Sequence, residues 1–233
     1  MVIQWRRDPK TVDITMGDLN RQVTLWVRGG RVLDLGGGSG WFLRDVEADM
    51  KVVVDLDLDS LGRARIEAMQ GDILHLPFRD GTFDAVVARG VLHHVPGHLG
   101  RVLDEVRRVL VRGGILFVHD PGGLNPPAMV ARRVMPTSIH VPEERPFDPL
   151  YLRDAIARRF VIVDERYRHL SGYLLPHLVP RLPAFLRPPA RRLSREIVRA
   201  ESGALRRVGA LRRFCGYVQF VGVKDPAPVM GGD

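Results

Sequence analysis

The sequence holds a single cysteine, Cys215, in 233 residues, which excludes a disulfide framework and a cysteine-rich metal centre. No run approaches the ~18 uninterrupted apolar residues of a membrane-spanning helix. The opening residues, MVIQWRRDPK, lack the apolar core of a signal peptide. A cytoplasmic location is therefore expected, with peripheral membrane contact the one departure considered. Internal repeats and a second-domain linker are also missing, which excludes repeat architectures and leaves one α/β domain as the expectation for this length. Lysine is scarce: Lys10, Lys51 and Lys224 are the only three, and arginine supplies the rest of the 35 basic residues.

The charge that is present is unevenly spread. Residues 1–125 hold 16 Lys and Arg against 17 Asp and Glu, whereas residues 126–233 hold 19 against 10. The whole positive excess lies in the second half, and it predicts an anionic partner there.

The stretch that organises the chain is RVLDLGGGSGWFLRDVEADMKVVVDLD, residues 31–57. Arg31 to Leu35 reads as a buried strand, Gly36 to Gly40 as a turn, Trp41 to about Ala48 as a helix, and Val52 to Val54 as a second strand ending in Asp55. This is the first half of a nucleotide-type βαβ unit. Glycines let the backbone turn sharply and let a ligand approach where a Cβ would clash. An acid about 20 residues beyond the turn suits hydrogen bonding to a ribose diol. The pattern is GxGxG, not the GxGxxG of dinucleotide binders, because position 41 is Trp.

Residues 1–30 are expected to be a lead-in with a helix from about Asp18 to Val27, closed by Gly29-Gly30. After Asp55, a helix capped by Asp59 or Ser60 is expected to about Ala68, then a short strand at Glu67 to Gln70. Phe83 to Ala88 reads as a strand, His98 to Leu110 as an amphipathic helix capped by Gly113-Gly114, and Ile115 to Val118 as the next strand. Prolines break the pattern at about 121–149, around a short helix from Ala128 to Val134. A helix from Pro149 to Arg159 and a strand from Phe160 to Arg166 restore it. Residues 170–213 form a second Pro- and Arg-rich insertion, and Phe214 to Val223 is the last strand. The fold expected is a Rossmann-like, seven-stranded, mostly parallel sheet with helices on both faces and an antiparallel last strand. Residues 31–225 are expected to form the single domain, with 121–149 and 170–213 as a substrate cap and 226–233 as a disordered tail.

Four blocks carry a resemblance: VLDLGGGSG (32–40), VVVDLD (52–57), GDILHLPFRDGTFDAVVARGVLHHV (71–95) and LDEVRRVLVRGGILFVHDP (103–121). In this order and spacing the chain resembles the class I S-adenosylmethionine-dependent methyltransferases, in the small-molecule and lipid branch that includes the ubiquinone and menaquinone biosynthesis enzymes. The resemblance implies S-adenosyl-L-methionine as cofactor and S-adenosyl-L-homocysteine as product, with no metal. It implies that the backbone of Gly36, Gly37 and Gly38 approaches the methionine part of the cofactor, with Asp34 near its amino end. By the same resemblance Asp55 accepts from the ribose hydroxyls, Leu56 packs on adenine, Asp72 accepts from the adenine amine with Ile73 alongside, and Arg89 supplies backbone contacts near the amino acid part. The interval between Asp55 and Asp72 is shorter than the family pattern, which implies a truncated third strand.

Methyl transfer from a sulfonium is an in-line displacement, and an oxygen acceptor needs a base. His93 and His94 follow the fourth strand, where donor and acceptor meet in this fold, and either can serve as the base or position the acceptor. His119 and Asp120 are weaker candidates, and Tyr173, His177 and His140 lie in the variable part. The NPPY string of amino-group DNA methylases is missing after the fourth strand, and Cys215 is misplaced for cytosine-5 chemistry. In the second half, Leu193, Ile197, Ala200, Ala204, Val208 and Leu211 recur at helical spacing among arginines. They predict a basic amphipathic helix over 190–211, broken at Gly203 and Gly209, that either meets an anion or a membrane surface or docks by its apolar face and leaves its arginines in solvent. The expected function is methyl transfer to a small-molecule or lipid-like acceptor, anionic acceptors among the candidates. The alternatives are a tRNA or rRNA methyltransferase using the Arg-rich half and a non-catalytic cofactor-binding partner subunit.

Overall fold

The β-branched runs form the strands, and the acids and glycines end them. The computed structural model describes residues 23–27, 29–134, 145–171, 175 and 179–226. β1 (Arg31–Leu35), β2 (Met50–Asp55), β3 (Glu67–Gln70), β4 (Phe83–Arg89) and β5 (Leu110–Pro121) pair in parallel. β6 (Val161–Arg168) and β7 (Tyr217–Val223) complete a seven-stranded sheet of order β3-β2-β1-β4-β5-β7-β6. β7 runs antiparallel to both its neighbours, as expected of the last strand. The strand order reverses between β1 and β4, which opens a crevice at their carboxyl ends.

Seven helices accompany the strands among the described residues. They are α1 (23–26), α2 (Trp41–Arg44), α3 (Leu58–Leu61), α4 (Leu99–Val109), α5 (Pro126–Val134), α6 (Pro149–Ala157) and α7 (Arg187–Arg207). Successive side chains of β1 point to opposite faces of the sheet. Leu33 and Leu35 join one apolar cluster with α4 and α6, and Val32 joins another with α1, Phe42 and Leu43 of α2. Asp34 takes the place on the α2 face that this alternation reserves for an apolar residue. α4 buries Leu99, Val102, Leu103, Val106 and Val109 along one stripe. Full burial of each contributes about 1.5–3 kcal/mol.

Several elements depart from expectation, each for a local reason. α2 ends at Arg44, where Lys51 Nζ donates to the Arg44 and Val46 carbonyls at 2.9 and 3.2 Å. The cap of α3 is Asp57, which accepts from Asp59 N–H at 3.0 Å and from the Ser60 hydroxyl at 2.6 Å, and the helix stops at Gly62. Gly113 and Gly114 cap nothing: α4 passes into β5 at Leu110, and Gly113 with φ +72 turns the chain inside β5. Gly203 does not break α7, which runs unbroken to Arg207 before a 3-10 turn at Gly209–Phe214. The expected apolar stripe of that helix is also corrected. Leu193 and Val208 are 62% and 48% exposed, and Leu205 is the residue that reaches the core. β7 begins at Tyr217, three residues later than expected. The start of the Asp18 to Val27 helix, His140, Tyr173, His177 and most of the tail lie outside the described residues.

Candidate active site

The ends of β1, β2, β4 and β5 bring the candidate residues together. Asp34 is fully buried and neither carboxylate oxygen has a hydrogen-bond partner. Burial pushes its pKa up to about 7, with the Arg89 charge opposing and the Asp55 charge adding to the rise. A buried charge without a partner is costly, so this carboxyl holds its proton up to near neutral pH and an added cation would favour its ionised form. The glycine turn closes over it. A Cβ on Gly37 would strike the Asp34 carboxylate and stand 2.8 Å from Val53 Cγ2. Gly38 has φ +55, a left-handed conformation that favours glycine, and its N–H donates to Asp55 Oδ2 at 2.8 Å.

Asp55 Oδ1 accepts from Asp57 N–H at 2.9 Å, so one carboxylate braces both the turn and the start of α3. A carboxylate offers about four lone-pair sites, which leaves acceptor capacity for a diol. Across the crevice rim, Leu56 is 66% exposed while Ile73 is buried. Asp72 Oδ1 accepts from Leu74 N–H at 2.8 Å. The loop that carries Asp72 and Ile73 is held from below by α4. Arg108 donates to the Phe78 and Leu76 carbonyls at 2.7 and 2.9 Å, and Glu105 Oε2 accepts from Leu76 N–H at 2.8 Å.

Arg89, assigned backbone contacts by resemblance, brings its side chain into the site. The guanidinium carbon lies 4.5 Å from the Trp41 ring centroid and 5.1 Å from that of Phe42, with Nε buried and without a hydrogen-bond partner. Burial works against its charge and Asp34 supports it.

His93 and His94 sit on a 3-10 turn, Leu92–His94, directly after β4, with ring centroids 4.2 Å apart. His93 is buried and its Nδ1 lies 3.1 Å from Asp120 Oδ1; His94 is exposed. Asp120 is fully buried at the end of β5, and its Oδ2 has no partner. Burial raises the Asp120 carboxyl above its ordinary range, and the His93 hydrogen bond opposes that rise. A carboxylate at Nδ1 holds the imidazole proton there and leaves Nε2 as the acceptor. His119 faces away from this role. Burial, with the nearby charges of Arg89, Arg168 and His169, pushes its pKa down to about 4, and its ring stacks on Tyr217 at 5.1 Å.

Two contributors were missed or underweighted in the sequence. Asp120 was ranked low because only the register Arg89↔His119 between β4 and β5 brings it beside His93. Asn125 carries no sequence signal beyond its place ahead of Pro126 and Pro127 after the fifth strand. It is buried, donating to the Leu170 and Phe214 carbonyls at 2.9 and 2.7 Å while accepting from Ala128 N–H at 2.8 Å. It thus ties the end of β5 to the second insertion.

A parallel sheet with an antiparallel last strand, and a glycine turn over a buried acid, make a Rossmann-like arrangement of the class I methyltransferase fold. The comparisons agree. Residues 33–118 match the family model described as "Methyltransferase domain". The chain is 38% identical over 96 residues to the human "Probable tRNA methyltransferase 9B", covering 39% of this chain and 21% of that protein. It is 28% identical over 199 residues to the Mycobacterium ulcerans "Phthiotriol/phenolphthiotriol dimycocerosates methyltransferase 1", covering 80% of this chain and 67% of that one. Among solved structures, the [4+2]-cyclase SpnF superposes with a TM-score of 0.61 at 23% identity, over 90% of this chain and 80% of that one. The chain spans well under two thirds of the length of relatives such as the human protein.

Methyltransferases of this family use S-adenosyl-L-methionine. The residues here fit it: an unpartnered buried carboxyl that could take a cationic amino group, a turn that a Cβ would fill, and a strand-end acid with acceptor capacity to spare.

Proposed function

We propose that the protein is an enzyme that transfers a methyl group from S-adenosyl-L-methionine to a small-molecule or lipid-like acceptor. The observation that carries this reading is Asp34: fully buried, without a partner, directly beneath the glycine turn and beside Arg89. A fold gains nothing from such a group unless a cation completes it. In the working complex Asp34 and the Gly36 to Gly38 backbone hold the amino acid end of the cofactor. Asp55 holds the ribose while bracing the turn, and Leu56, Asp72 and Ile73 border the adenine. The cofactor supplies a methyl carbon on a sulfonium, whose sulfur leaves without further activation. The protein's work is then alignment and removal of one proton from the acceptor. His93, with Nδ1 bonded to Asp120, accepts that proton at Nε2, and His94 lines the approach.

The lipid-like acceptor is supported by the similarity to the phthiotriol dimycocerosates enzyme, which extends over most of this chain. The arginine excess and the similarity to a probable tRNA methyltransferase support a second reading, transfer to RNA. Incubation with methyl-tritiated S-adenosylmethionine and either a lipid extract or total tRNA separates the two. Tritium in the organic phase is expected. Label in tRNA alone would replace the first reading with the second, and donor binding without transfer to either would favour the partner-subunit role.

A further inference from the structure

α7 lies against β6 with a fixed inner face. Leu205 is 1% exposed in the main core cluster, and Glu201 accepts from the Leu170 and Ser171 N–H groups at 3.1 and 2.6 Å. The outer face carries Arg191, Arg192, Arg195, Arg199, Arg206 and Arg207, all exposed. Glu196 is the one acid on that face, and it pairs with Arg199 at 2.7 Å. At the amino end of the helix the surface changes character. Phe185 is 77% exposed, Leu186 41% and Leu193 62%. Phe185 and Leu186 belong to the 3-10 turn Ala184–Leu186 that leads into α7, and Leu193 lies in its second turn, so exposed apolar side chains border the arginines at this end.

We propose that the surface from Phe185 to Arg199 docks on an anionic phospholipid bilayer. Phe185, Leu186 and Leu193 enter the boundary between headgroups and acyl chains, and Arg191, Arg192 and Arg195 meet the lipid phosphates. Charge complementarity selects an anionic partner. The exposed leucines select a bilayer over RNA, because aliphatic side chains neither pair with phosphates nor stack on bases. No helix among the described residues is long and apolar enough to cross a membrane, so the contact is lateral. Asn125 links this cap to the end of β5 beside the His93–Asp120 pair. Resting on the methyl-transfer reading, the docked cap would pass a lipid-like acceptor from the bilayer to the site.

The test is sedimentation of the full chain with vesicles of phosphatidylcholine alone and of phosphatidylcholine mixed with phosphatidylglycerol. Calorimetric titration of each variant with S-adenosylhomocysteine serves as an independent check on folding and on the cofactor site. Binding to the anionic vesicles alone is expected. Each arginine near an anionic surface changes partitioning about fivefold, so the triple variant Arg191→Ala, Arg192→Ala, Arg195→Ala should bind about 100-fold more weakly. Phe185→Ser with Leu193→Ser should also weaken binding, most visibly in high salt, where the charge contribution is screened. Absence of binding to either vesicle overturns the proposal, as does equal binding by the triple variant. So does salt-sensitive tRNA binding that needs the same arginines while vesicles are ignored. Vesicle binding by a protein that takes no S-adenosylhomocysteine would keep the docking surface and reject the methyl-transfer reading.

Discussion

Replacing Asp34 by asparagine should stabilise the cofactor-free protein at alkaline pH and cripple donor binding. The carboxyl is buried and without partners, and its pKa is displaced from 3.8 to about 7. The folded protein therefore keeps a proton that the unfolded chain has lost. The associated stability is fully present below about pH 4, declines as pH rises, and is gone above about pH 7. The displacement corresponds to about 4 kcal/mol, or roughly 8–16 °C in melting temperature for a chain of this size. Asparagine is neutral throughout, so Asp34→Asn and wild type should melt together near pH 4, and the variant should melt higher near pH 8. Scanning calorimetry across that interval reads the difference. A cationic amino group placed against Asp34 recovers the lost energy, so donor affinity of wild type should rise with pH up to about 7, while that of the variant stays flat and weak. Melting curves that remain parallel from acid to alkaline pH would refute the unpartnered buried carboxylate and, with it, the electrostatic reasoning for the site.

Gly37→Ala should abolish donor binding and lower stability by about 1–3 kcal/mol, because its Cβ would meet the Asp34 carboxylate and Val53; isothermal calorimetry and urea denaturation check the two parts. Arg108→Ala removes the partner of the Leu76 and Phe78 carbonyls and of Glu105. It should cost about 1–3 kcal/mol in denaturation and raise amide exchange across residues 72–78, with no such rise in β1.

The parts of the fold that could be read in advance are those where pattern and geometry coincide. The β1 run and the single stripe of α4 each had one periodic solution, and β3 lies where the family resemblance puts a short third strand. Helix ends were harder, because side chains distant in sequence set them: Lys51 closes α2, and Asp57 displaces the expected cap of α3. In α7 the expected phase fails because Leu205 packs into the core and Glu201 is held by the Leu170 and Ser171 amides, which turns Leu193 out to solvent. Within the site, the spacing of the glycines and Asp55 announced them, and Asp34 followed from the family resemblance of the block that contains it. The His93–Asp120 pair joins residues 27 apart through the register of β4 and β5. Arg89 over Trp41 depends on a side-chain direction that spacing does not encode.

The central claim is that the turn over Asp34 binds the methyl donor, and calorimetric titration tests it most directly. Wild type and Asp55→Ala should each be titrated with S-adenosylmethionine and S-adenosylhomocysteine near pH 7.5. One-to-one binding of both ligands is predicted, weakened by about 1–3 kcal/mol in the variant, where the ribose loses an acceptor and the Gly38 and Asp57 N–H groups lose theirs. Absence of heat with either ligand on folded wild-type protein, or equal affinity in the variant, would contradict it.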